Sequence, residues 1–283
     1  MNHTDPVAAL CASHGETNPE QLILRLCQEL IAHCAPRASA IPLPVLASWQ
    51  GVREIHSRPI NPAAGCSGLL VPSDGGYEIT VNSGEPRERQ NFSIAHEIVH
   101  TFFREACPCS RPSSREEQLC NLGAAELTMP AERFARHLAR AGLSLAGIDS
   151  CAKNFDVSFE AAARRAMNCT SQPACLFVAA LSRTKQQEQL DSGQPILRIV
   201  KWRPSQSWPY PSCYKNRPVD PNSLIGQSFA HQDERHGYVR LGLPFDSSVY
   251  ELEARGYSYP REGNQNYRQA VSLARVRPGA ITV

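Results

Sequence analysis

Five consecutive residues, His96-Glu97-Ile98-Val99-His100, carry the clearest chemistry in this sequence. On an α-helix, side chains at i and i+4 project from the same face. Two imidazoles placed that way can share one divalent metal ion. The Glu between them can then reach a water held by that ion. The chemistry expected of such a set is metal-assisted hydrolysis, with Glu97 moving the proton.

A catalytic zinc takes three protein ligands and keeps one position open. The third ligand must come from a neighbouring element. His137, His231 and His236 offer imidazoles without supporting context. Glu116 and Glu117 stand at the start of the next helix. Ser113-x-x-Glu116 and Ser114-x-x-Glu117 are both capping-box patterns. Only one of them can be used, which leaves the other Glu free to face a metal. Glu117, Cys120, Asn121 and Ala124 share one face at helical spacing.

These residues need elements to position them. Asn18-Pro19-Glu20-Gln21 starts a helix whose apolar residues, Leu22 to Cys34, follow the helical period. Residues 1–17 read as a loose tail. A short helix covers Val45–Gln50, and Val52–Ile55 reads as a strand. Gly68–Val71 and Tyr77–Val81 form a hairpin around Asp74-Gly75-Gly76. The strand Tyr77–Val81 precedes the metal-site helix, and an exposed edge there would take an extended peptide by strand addition. Phe92, Ala95, Val99 and Phe102 form the core stripe of that helix. Further helices are expected at Ser114–Thr128, from Pro130, at Leu145–Phe155 and through Ala161–Met167. The last two flank a Val-Ser turn that could be a helix-turn-helix or plain helical packing. Strands follow at Ala174–Leu181, Ile196–Trp202, Tyr238–Phe245, Val249–Ala254 and Ala270–Val276.

At this level of detail the sequence resembles a known family. The run from Arg89 to His100 has the pattern R-x-x-F-x-x-A-H-E-x-x-H. The run from Glu117 to Pro130 has E-x-x-x-N-x-x-A-A-x-L-x-M-P. Together, in this order and after a hairpin, they resemble the signature of the ImmA/IrrE metallopeptidases. The detailed match covers residues 68–131. The resemblance implies that His96, His100 and Glu117 hold one catalytic Zn²⁺, with Mn²⁺ as a substitute, and that Glu97 is the catalytic acid and base. Asn91 stands where the family often has Arg. Glu126 fills a variable slot and is not a ligand.

The fold implied is α+β. A zincin-like peptidase domain with a small sheet and an active-site helix occupies residues 1–130. A helical, helix-turn-helix-like segment follows at 131–172. A β-rich, GAF-like domain completes the chain at 173–283, in the order found in the radiation-response branch. The function implied is a site-specific cut in a helix-turn-helix repressor of the XRE type, relieving repression in a stress or mobile-element response. The alternative is a DNA-binding or ligand-sensing transcriptional regulator whose metal site is structural or vestigial.

Composition agrees with such a protein. The chain has 283 residues, 42% hydrophobic and 20% charged, with a formal net charge of +2. It can bury real cores, and it is neither polybasic nor of disordered composition. No apolar run reaches the ~18–20 residues of a membrane helix. The N-terminus has no signal-peptide core, so a cytoplasmic, soluble protein is expected. Eleven cysteines, an odd number at irregular spacing, do not read as a secreted disulfide scaffold. Cys107, Cys109 and Cys120 flank the ligand elements, and a thiolate from any of them could occupy the open metal position.

Overall fold

The computed structural model describes residues 5–34, 41–61, 66–107, 112–210, 215–241, 249–260 and 266–276. The architecture is α+β, with helices and a small sheet towards the N-terminus and a separate larger sheet towards the C-terminus. The chain divides into two compact units. One holds Met1–Phe134 with Cys151–Ala162, and the other holds Ala135–Ser150 with Ala163–Val283. Among the described residues, no helix is long and apolar enough to cross a membrane.

The first unit opens with a helix, α1 (Pro6–Ser13), where the sequence led us to expect a loose tail. Asp5 caps it by accepting the Val7 N–H at 3.0 Å, and Pro6 presets its first turn. Val7 and Leu10 are buried, and that burial holds the segment down. Helix α2 (Pro19–Cys34) starts as expected at Asn18, whose Oδ1 accepts the Gln21 N–H at 3.0 Å. Its buried face is Leu22, Ile23, Cys27, Leu30 and Ile31. Helix α3 (Leu43–Trp49) then leads into β1 (Val52–Arg58), β2 (Gly68–Ser73) and β3 (Gly76–Asn82).

The sheet has the order β1-β3-β2. Strands β2 and β3 form the expected antiparallel hairpin, closed between Ser73 and Gly76 with Gly75 at φ 71°. Strand β1 joins the other side of β3 in parallel, pairing Ile55 with Ile79. This corrects one expectation. The strand Tyr77–Val81 lies in the centre, with its backbone groups paired on both sides, so it cannot receive a peptide. Within this sheet the free edges belong to β1 and β2.

Ile79 and Val81 face a core shared with α4 (Arg87–Ala106) and α5 (Ser114–Thr128). Ala95, Ile98, Val99, Phe102 and Phe103 form the buried stripe of α4. Leu119, Cys120, Ala124 and Leu127 do the same on α5. The two helices meet closely at Gly123. A Cβ there would lie 2.7 Å from Val99 Cγ2 and 3.0 Å from Ile23 Cγ2. Only glycine allows α5 to approach α4 and α2 to this distance. The Cys27 thiol donates to the Gly123 carbonyl at 3.7 Å, closing the same contact.

Three helices follow: α6 (Ala131–Ala141), α7 (Leu145–Phe155) and α8 (Phe159–Cys169). Within the first unit, Phe134 and Phe155 stack with ring centroids 5.4 Å apart. Asp156 ends α7 in the left-handed region, φ 51°. Its carboxylate accepts from Asn91 Nδ2 at 3.0 Å and from Arg87 Nε at 2.9 Å. Asn91 therefore joins the start of α4 to this turn. Ser158 caps α8 by accepting the Ala161 N–H at 3.2 Å, as its sequence position suggests.

The second unit is built on β4 (Ala174–Ser182), β5 (Ile196–Pro204), β6 (Glu234–Val239), β7 (Tyr250–Pro260) and β8 (Asn266–Val276), with two helices, α9 (Lys185–Gln189) and α10 (Leu224–His231), between them. The sheet is antiparallel throughout, in the order β5-β4-β8-β7-β6. Helix α10, which the sequence reading did not anticipate, packs on β7 and β8 behind a Ser223 cap. Phe177, Trp208, Tyr250 and Leu252 are central to the core, with the Trp208 and Tyr250 rings 5.3 Å apart. Leu145 donates its N–H to Glu253 Oε2 at 2.7 Å, which caps the first turn of α7. Arg275 pairs with Glu253 and bonds the Leu143 carbonyl, and Arg255 pairs with Asp149. The residues before and at the start of α7 thus belong with this sheet. The strand expected at Tyr238–Phe245 is displaced: β6 begins at Glu234 and ends at Val239. Residues 242–248 and Cys109 lie outside the described residues.

Candidate metal centre

Helix α4 carries His96, Glu97 and His100, and α5 packs beside it with Glu117 and Cys120 at its N-terminal end. The imidazoles meet edge to face, with Nε2 atoms 3.2 Å apart and ring planes at 66°. Glu117 closes the triangle. Its Oε2 lies 3.1 Å from His96 Nε2, and its Oε1 lies 3.5 Å from His100 Nε2. Cys120 Sγ completes a cluster in which it and one nitrogen of each imidazole lie within 4.8 Å of one another.

This donor set fits a divalent ion. Tetrahedral bonds of about 2.0–2.1 Å place ligand atoms roughly 3.3 Å apart. The two imidazole nitrogens, 3.2 Å apart, lie near that value, and Glu117 reaches His96 through Oε2 at 3.1 Å and His100 through Oε1 at 3.5 Å. Burial, reinforced by His100, holds the His96 imidazole below its ordinary pKa, which favours the neutral, ligating form.

His100 is oriented by Glu116, one of the two glutamates that the sequence offers as capping-box partners. Its Nδ1 lies 2.8 Å from Glu116 Oε1, and Glu116 is completely buried. A carboxylate at Nδ1 favours the tautomer protonated there, which leaves the Nε2 lone pair free for a metal. Arg104 Nη2 holds the same Oε1 at 2.8 Å. Ser113 does cap α5, accepting the Glu116 N–H at 3.1 Å, yet the Glu116 side chain does not reach back. Both glutamates are therefore free for the site, one on each histidine. Arg104 sits one turn beyond His100 on α4, and that i+4 spacing is the sequence signal that could have exposed this network.

Glu97 is buried, with 7% of its surface exposed. Burial pushes its carboxyl up to about 7, and Glu117 pushes the same way. His100, the Leu70 N–H and Arg104 act against that rise. Strand β2 crosses directly above it at Gly68, where a Cβ would lie 2.9 Å from Glu97 Oε1. The glycine lets the edge strand pass over the acid, a constraint that the motif itself does not reveal.

The other candidates lie elsewhere. His137 bonds Ser150 at 3.0 Å, His236 pairs with Glu251 at 2.9 Å, and His231 ends α10. Arg89, at the start of the motif, pairs with Glu85 at 3.2 Å. Tyr77 packs against the core of the first unit. Glu126 accepts the Ala131 N–H at 3.1 Å and so stabilises the helix junction. Burial and three carboxylates, Glu116, Glu117 and Glu97, raise the Cys120 thiol well above its ordinary range.

The segment that holds this site is similar to known proteins. Residues 58–167 match the IrrE N-terminal-like domain of peptidase family M78. The chain is 34% identical over 125 residues to the radiation response metalloprotease IrrE of Deinococcus deserti, covering 39% of this chain and 44% of that protein. It is 28% identical over 152 residues to the IrrE of Deinococcus radiodurans, covering 47% of this chain and 46% of that protein. The chain thus spans less than half the length of these curated relatives. A solved structure of a Mycobacterium tuberculosis transcriptional regulator superposes with a TM-score of 0.53 over 96% of this chain and 80% of its own, at 12% identity, a likeness of fold alone. The HExxH helix and the Glu117 helix both lie inside the matched segment, and residues 58–167 form a domain of the ImmA/IrrE family of M78 metallopeptidases.

Proposed function

We propose that this chain is a zinc-dependent endopeptidase. It makes a site-specific cut in a helix-turn-helix repressor and so relieves repression in a stress response. The observation that carries the reading is the convergence of His96, His100 and Glu117 beside a buried Glu97, under a free sheet edge. His96, His100 and Glu117 would hold the ion. A zinc ion held there supplies Lewis-acid polarisation and a water acidified toward neutral pH.

The protein's own residues do the rest. An extended peptide pairs with the open edge of β2, beside the exposed Leu69 and Val71. Glu97 takes the proton of the attacking water and returns it to the leaving amine nitrogen. Glu116 keeps His100 in its ligating tautomer. Strand pairing requires an extended substrate, so a repressor linker suits the site better than a compact domain.

We also keep the functional division proposed from sequence: a peptidase domain at 1–130, a helix-turn-helix-like segment at 131–172 and a GAF-like sensor at 173–283. The likeness to a transcriptional regulator supports a second reading, in which the chain acts on DNA or senses a ligand directly. One experiment separates the two. Zinc-loaded wild type and Glu97→Gln are incubated with candidate repressors, and new protein N-termini are sequenced. A single cut that requires Glu97 supports the peptidase. A salt-sensitive shift of a specific duplex by both proteins, with no new N-terminus, supports the regulator.

A further inference from the structure

We infer that Cys120 is a fourth protein ligand, so that this chain holds its metal in a closed site whose open position is filled by its own thiolate. The inference rests on the metal-centre reading above and extends it to the resting state. Cys120 follows Glu117 by one turn of α5, so both side chains leave the helix on the same side. Its Sγ and one nitrogen each of His96 and His100 lie within 4.8 Å of one another, close enough for one ion to bridge them.

Packing alone does not account for this thiol. Cys120 is completely buried, and its Sγ makes no hydrogen bond among the described residues. Cys27, equally buried, donates to the Gly123 carbonyl. The Cys120 sulfur instead sits beside two imidazoles and within electrostatic reach of Glu97, Glu116 and Glu117. A divalent cation is the partner that such a group of donors lacks.

The resulting ligand set is two nitrogens, one carboxylate oxygen and one sulfur. Four protein ligands are the mark of a closed zinc site, whereas a catalytic site uses three. On loading, the Cys120 S–H bond breaks, the sulfur–metal bond forms and the proton leaves to solvent. The closed set describes the resting protein: during turnover the thiolate would give way to water or substrate, so zinc-loaded protein remains competent to cleave. Cys107, in the loop after α4, does not join the cluster.

The test is cobalt titration of the full-length, metal-free protein, followed by absorption spectroscopy. Wild type is expected to bind one equivalent with ligand-field bands and a thiolate-to-cobalt charge-transfer band. Cys120→Ala and Cys120→Ser are expected to keep the ligand-field bands, supplied by His96, His100 and Glu117, and to lose the charge-transfer band. Zinc affinity should fall at least about tenfold in both. Cys27→Ala should keep the charge-transfer band. Circular dichroism of each variant verifies the fold, and the serine variant retains the size of the side chain. Cobalt bound by wild type without the charge-transfer band overturns the inference and leaves the metal centre standing. A band that survives in both Cys120 variants also overturns it. Failure of wild type to bind cobalt at all overturns the metal centre itself, and this inference with it.

Discussion

His100 Nδ1 lies 2.8 Å from Glu116 Oε1, and both side chains are buried. This pair would make the imidazole a directed ligand, because a ring with its proton held on Nδ1 offers only Nε2 to a metal. Glu116→Gln keeps the shape and weakens the acceptor. We expect zinc affinity to drop by about 10–100-fold with the fold intact. Competition against a chromophoric chelator measures it, and an unchanged affinity would show that Glu116 serves only Arg104.

Glu97 and Glu117 should separate cleanly by phenotype. Glu97→Gln is expected to bind zinc as wild type does and to lose cleavage by at least about 100-fold. Glu117→Ala is expected to lose cleavage and to bind zinc more weakly than wild type. Metal content by mass spectrometry, paired with cleavage of the repressor substrate, distinguishes them. Chelation of wild type should abolish cleavage and added zinc should restore it. A Glu117→Ala protein with full zinc and full activity would refute the ligand assignment.

Gly68 is expected to matter for turnover rather than for metal. A methyl group there would meet Glu97 Oε1 at 2.9 Å and Ser93 Cβ at 3.3 Å. Either β2 lifts or Glu97 turns away. Gly68→Ala should destabilise by about 1–3 kcal/mol and slow cleavage while zinc content stays at one equivalent. Thermal melting and metal analysis on the same sample check both parts. Normal turnover would mean that the edge strand does not constrain the acid.

In the C-terminal unit, Glu253 accepts the Leu145 N–H and pairs with Arg275. Glu253→Gln removes the charge from a largely buried pair and weakens the cap. A loss of about 1–3 kcal/mol is expected from denaturant unfolding, with zinc affinity unchanged. A zinc affinity that fell in parallel would tie the metal centre to the integrity of this sheet.

Much of the first unit is legible in the chain because its signals are local. Asn18, the Asp74-Gly75-Gly76 turn and Ser158 announce their helices and hairpin through short-range hydrogen bonds and backbone preference. The first helix was missed because its apolar anchors, Val7 and Leu10, are few and are stabilised by distant residues. Helix α10 was missed for its length of 8 residues, too short to display a helical period.

At the metal centre, the sequence alone determined that His96 and His100 share a face with Glu97 between them, because the helical repeat dictates it. It also marked Glu117, through the resemblance of two motifs. Tertiary structure decided the rest. Which glutamate meets which histidine depends on how α5 is rotated against α4, and that is set by the close contact at Gly123. Which strand offers a free edge depends on β1 returning to pair with β3 from about 25 residues upstream, a non-local choice that no periodicity encodes. The same packing brings Cys120 to the imidazoles. Side-chain chemistry is written residue by residue, but the face it meets is chosen by the contacts that pack one element on another.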